Sequence, residues 1–134
     1  SVAWIAPLGR WVMLYNSMKP RGIVMRTAAK PWGPWSEPII IFNPWRDMGY
    51  GRFIHQGGPR TIDGFQDPGH EWPGGEYGPY LIERFTQGTA DRCTIFFTMS
   101  TWNLYQVVLM SADVGYPEDQ PASETKETPT VPEE

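Results

Sequence analysis

The residues able to do chemistry crowd between Asn43 and Gly78, a stretch holding nine glycines, four prolines, both histidines and the acids Asp47, Asp63, Asp67, Glu71 and Glu76. A loop longer than roughly 15 residues in a small domain is usually functional or disordered. Its aromatics, Trp45, Tyr50, Phe53, Phe65, Trp72 and Tyr77, favour order. Glu76 is the best-placed acid, between Gly75 and Tyr77 and just ahead of an aromatic strand. A carboxyl group there can give or take a proton; accepting backbone N–H groups at a loop corner explains it without chemistry. Tyr50–Gln56 reads as a short strand candidate over Gly51–Gln56, whose alternation puts Arg52, Ile54 and Gln56 on one face and Phe53 and His55 on the other. The first face is polar enough to bind hydroxyl groups, and His55 can orient a hydroxyl or a carboxylate. A lone histidine beside aromatics is more often simply packed and hydrogen-bonded. His70, Glu71 and Asp67 lack the paired spacing that holds a metal, so a turn is expected there, with no metal and no cofactor.

The tryptophans are the second resource. Sugar rings present flat C–H faces that pack on aromatic rings, so Trp72, Tyr77, Tyr80 and Trp102, with Asn103 beside it, suit a carbohydrate cleft. Most of Trp4, Trp11, Trp32 and Trp35 are expected in the core instead, the default for aromatics in strands.

Such side chains need elements to position them. Val2–Ile5, Trp11–Asn16, Ile23–Thr27, Pro38–Phe42, Tyr80–Phe85, Thr94–Ser100 and Gln106–Ser111 are short runs of β-branched, aromatic or Met residues separated by Gly/Pro/Asn turns. Seven antiparallel strands are predicted. With 14 glycines and 14 prolines in 134 residues, the chain has no span for long helices. Trp11–Asn16 followed by Gly22–Thr27 is echoed by Thr94–Ser100 followed by Gln106–Ser111. Repetition of antiparallel units about 80 residues apart is how propellers are built.

Charge and composition then exclude some functions. Residues 113–134 hold seven of the 15 acids and one of the 11 bases, which leaves 1–112 near neutral with scattered arginines. That gives no footprint for nucleic acid or an anionic membrane. No run approaches the roughly 18 apolar residues that span a bilayer. The Pro/Glu/Thr-rich stretch from 113 onward is expected to be a disordered acidic tail. A single cysteine, Cys93, closes no intrachain disulfide and is expected to be an inert thiol.

The turn Pro31-Trp-Gly-Pro-Trp-Ser-Glu-Pro38, together with Leu8-Gly-Arg-Trp-Val-Met-Leu-Tyr15, Gly75-Glu-Tyr-Gly-Pro-Tyr-Leu-Ile82, Thr98–Asn103 and Tyr105–Met110, resembles the C-terminal part of a secreted five-bladed propeller family known as domain-of-unknown-function family 4185. The resemblance implies an all-β fold of antiparallel blades related in shape to arabinanases and sialidases. Here it implies an incomplete ring, one four-stranded blade plus a three-stranded partial blade, lacking the N-terminal blades of its parent. It further implies an extracellular glycoside hydrolase-like parent acting on arabinan-type cell-wall polysaccharide, with the fragment inactive alone. Glycoside hydrolysis needs two carboxyl groups across the scissile bond, and the resemblance puts the catalytic aspartates on the missing blades. Glu76 is then the catalytic candidate within this chain, and Arg52, His55, Tyr77, Tyr80, Trp102 and Asn103 are the substrate-binding candidates. The alternative is a non-catalytic, lectin-like propeller that keeps the aromatics and lacks one of the acids.

Overall fold

Short β-rich runs between turns leave each strand one apolar face to bury, and two antiparallel sheets bury theirs against each other. The structure, a computed structural model, describes residues 1–56, 72–102 and 105–118. The first sheet is a meander in chain order: β1 (Val2–Ile5), β2 (Arg10–Met18), β3 (Arg21–Ala28) and β4 (Ile39–Phe42). The second contains β5 (Gly75–Leu81), β6 (Gln87–Gly88), β7 (Cys93–Trp102) and β8 (Gln106–Val114). In it β7 is central, with β8 on one side and β5 and β6 end to end on the other. No α-helix occurs among the described residues.

Strand alternation supplies the core. Val12, Leu14, Ile23, Met25 and Phe42 of the first sheet join Leu81, Cys93, Ile95, Phe97, Met99 and Val114 of the second in one buried cluster. Each large side chain so enclosed contributes about 1.5–3 kcal/mol relative to exposure. The opposite faces remain partly open. On the second sheet Tyr77, Tyr80, Trp102, Val107 and Leu109 are exposed; on the first Trp4 stands edge-on to Trp11 with centroids 5.8 Å apart. Contrary to the core expectation, Trp4 and Trp32 are exposed while Trp11 and Trp35 are half-buried, because they lie outside the face that the two sheets share.

The all-β antiparallel expectation stands, and four details change. The strand expected at Tyr80–Phe85 starts earlier, at Gly75, and gives way to a 3-10 turn over Glu83–Phe85. Gly78 and Pro79 look like strand breakers, but a bulge between Tyr77 and Tyr80 absorbs them, with Gly78 at φ 58°. The three-stranded partial unit has a fourth strand, because β6 resumes pairing with β7 after that turn. The strand expected at Gly51–Gln56 is absent. The amides of Phe53 and Ile54 both donate to Gly49 O, which coils the segment into turns. Alternation therefore fails there, and Ile54 and His55 are buried in succession. The body also runs past residue 112: β8 continues to Val114, and the Tyr116 hydroxyl donates to Thr89 O and Arg92 O.

The edges are unequal. β1 and β4 have four residues each, β4 is flanked by Pro38 and Pro44, and β5 is interrupted by its bulge and Pro79. β8 has nine residues, no proline and an outer edge that pairs with nothing among the described residues. Between β4 and β8 lies a groove of about 530 Å³ whose lining includes Met25, Phe42, Met110 and Val114.

Candidate functional site

One end of the two sheets gathers most of the residues singled out above. Its framework is the loop after β4, which Asn43 organises. The Asn43 side-chain oxygen accepts from the amides of Trp45 and Arg46, and its Nδ2 donates to Arg21 O on β3 at 3.0 Å. The Asn43 amide in turn donates to Asp47 Oδ2 at 2.7 Å. An asparagine that satisfies its neighbours' amides in this way fixes a turn without any helix or strand. The following residues tie the loop to the second sheet: the Tyr50 hydroxyl donates to Gly74 O at 3.0 Å, and Gly74 N donates to His55 O at 2.8 Å. Gln106 at the start of β8 donates to Phe53 O.

Beneath this loop lies an ion pair between sheets. Arg21 of β3 donates through Nε to Glu76 Oε1 at 2.8 Å and through Nη2 to Glu76 Oε2 at 3.1 Å, a bidentate clasp. The Glu76 side chain is fully inaccessible, and that of Arg21 is 34% exposed. Hydrogen bonding to Glu76 raises the Arg21 guanidinium above its ordinary value. Arg21 also reaches Tyr50 Oη at 3.3 Å, and burial pushes that phenol upward in turn. Gly22, next to Arg21, has φ +133°, and a Cβ there would lie 2.1 Å from Phe42 O. Only glycine lets β3 and the end of β4 approach so closely.

The predicted site residues thus separate. Glu76 is on β5 rather than ahead of it, opposite Thr101, and its carboxylate is spent on Arg21. His55 is 3% exposed and packed beneath the loop. Arg52 is exposed at the rim, its Nη2 3.8 Å from Met48 Sδ. Trp102 is 43% exposed opposite Gly75, where a Cβ would lie 2.7 Å from the indole nitrogen. Tyr77 and Tyr80 are exposed on the outward face of β5, paired with Ser100 and Thr98. Tyr80 is therefore some four residues down β7 from Trp102, about 13 Å at strand rise. Asn103, His70, Glu71 and Asp67 lie outside the described residues. Among those described, no three His, Cys, Asp or Glu side chains are grouped to hold a metal.

Sequence reasoning missed Arg21, Tyr50 and Trp45 as members of this end. Trp45 is 61% exposed and packs on Tyr50 with centroids 4.3 Å apart. The available signal was Asn43-Pro44, a turn initiator placed immediately after a strand. In comparison with known proteins, the family described as Domain of unknown function (DUF4185) matches residues 1–111. No curated protein and no solved structure matches.

Proposed function

The chain belongs to the DUF4185 family, and on that premise we propose that it is part of a carbohydrate-active, extracellular five-bladed propeller, to which it supplies a sugar-binding surface rather than a catalytic carboxylate. Two face-to-face antiparallel sheets with apolar outward faces suit blades that pack on both sides. The observation that carries the reading is the contrast at the strand ends: Glu76 is sealed under Arg21 while Trp45 and Trp102 offer open rings nearby in the fold. A carboxylate that accepts two guanidinium bonds out of reach of solvent cannot deliver a proton to a glycosidic oxygen without breaking the clasp. The hydrolytic pair of a glycoside hydrolase-like parent then belongs to other blades, and arabinan-type polysaccharide is the substrate class to test first.

Titration of the chain with arabinan-type oligosaccharides, followed by tryptophan fluorescence, tests this. Saturable binding is expected, weakened about tenfold or more by Trp45→Ala or Trp102→Ala, the scale of losing one stacked ring. Absence of binding defeats the reading. In the full-length parent, Glu76→Gln should leave the rate per folded molecule within a few fold. A loss of a hundredfold or more, the scale of general acid–base effects, would instead make Glu76 catalytic.

A further inference from the structure

Three arginines stand on this framework, and two of them already hold carboxylates. Arg21 clasps Glu76, and Arg46 clasps Asp47 through Nε and Nη2, both at 2.8 Å. Arg52 does not. Its polar contact is the Met48 sulfur, and among the described residues no carboxylate faces it. Arg52 lines a cavity of about 290 Å³ with Pro44, Trp45, Met48, Tyr50 and Gln56. That volume falls just below the roughly 300–1,000 Å³ of ligand pockets and has room for about one sugar ring.

The pocket is built before any ligand arrives. Amides of Gly49 and Tyr50 donate to Pro44 O, Met48 N donates to Trp45 O, and the Asn43 turn holds the base of the loop. Met48 has φ 53°, in the left-handed region that a long side chain rarely adopts. Strain kept in a loop so thoroughly tied down is characteristic of ligand clamps. One wall is an aromatic ring, one corner a guanidinium that meets no carboxylate among the described residues, and Gln56 adds an amide able both to donate and to accept.

We propose that this pocket binds an acidic sugar residue, with its ring against Trp45 and its carboxylate on the Arg52 guanidinium. The assignment rests on the carbohydrate reading above and narrows it from sugars in general to uronic acids at this position. A neutral sugar would use the ring and the amide, whereas a carboxylate would add charge-assisted bonds to a guanidinium that has none among the described residues.

The test compares oligosaccharides containing glucuronic or galacturonic acid with their carboxyl-reduced neutral counterparts, titrated calorimetrically onto the chain, Arg52→Gln, Arg52→Lys and Trp45→Ala. The acidic forms are expected to bind the parent chain about tenfold tighter or more, with the preference falling as salt rises. Arg52→Gln should erase the preference while keeping neutral binding, Arg52→Lys should restore part of it, and Trp45→Ala should weaken both. Circular dichroism checks that the variants fold, as expected for exposed positions. Equal affinity for the two forms overturns the uronate assignment and leaves carbohydrate binding intact. Binding of neither overturns the uronate assignment, and the arabinan titration above decides the carbohydrate reading separately. An acid preference that survives Arg52→Gln places the anion elsewhere and overturns this assignment.

Discussion

Of the two paired carboxylates at this site Glu76 is sealed and Asp47 is partly open to water, with different consequences. Glu76→Gln removes one charge from a clasp that is buried on the Glu side, leaving Arg21 with a neutral partner; a loss of about 2 kcal/mol is expected. That is below the 3–5 kcal/mol typical of wholly buried pairs because a third of the Arg21 side chain is in water. A urea midpoint shift with an unchanged slope is the readout. Asp47 is held below the usual carboxylate range chiefly by its hydrogen bond from Arg46, with the Asn43 amide assisting against the opposing effect of burial. Because its folded value lies below its unfolded one, its stabilisation is present above the ordinary value of 3.8 and is lost as pH falls through the lower folded value. Trp45 fluorescence should therefore report loosening of the loop only below about pH 3.8, and Asp47→Asn should flatten that transition.

At the scale of elements, β3 and β4 depend on one atom's clearance. Gly22→Ala puts a methyl group against the Phe42 carbonyl and forces an L side chain to φ +133°. Loss of more than about 3 kcal/mol is expected, the range of backbone and overpacking penalties combined; denaturation of the variant beside Ser111→Ala, an exposed position on β8, measures it. Most strands were legible because Leu14, Ile95 and Phe97 alternate with polar or half-exposed neighbours, although on β3 Gly22 to Met25 are buried in succession. The illegible parts share a cause. At Gly78-Pro79 a bulge overrides local breakers, and at Gly49–Ile54 hydrogen bonds to Gly49 O and tertiary ties to Gly74 decide the conformation. Trp102 and Arg52 were found by residue type alone. Arg21 was hidden because its partner is 55 residues away and its own surroundings, Lys19-Pro20-Arg21-Gly22, read only as a turn.

For the whole molecule, the single core spanning both sheets makes them one folding unit. Phe97→Ala, at a fully buried centre, should cost about 3–5 kcal/mol and lower the two sheets' transitions together. Separate transitions for Trp11 on the first sheet and Trp102 on the second would contradict that unity. The inequality of the edges has a further consequence, in the counting of copies. Strand pairing needs an open edge, and guarded edges with prolines, bulges or very few residues do not take part. Among the described residues the eight strands in two sheets leave one good edge, which for this kind of association is a valence of one. A unit of valence one can pair with itself about a twofold axis and then stop, whereas growth into fibres needs two. Ultracentrifugation at rising concentration should show strand-mediated association ending at the dimer, and Leu109→Pro should abolish it. Larger species built through the open aromatic faces are chemically distinct and respond to Trp4→Ser or Tyr80→Ser instead.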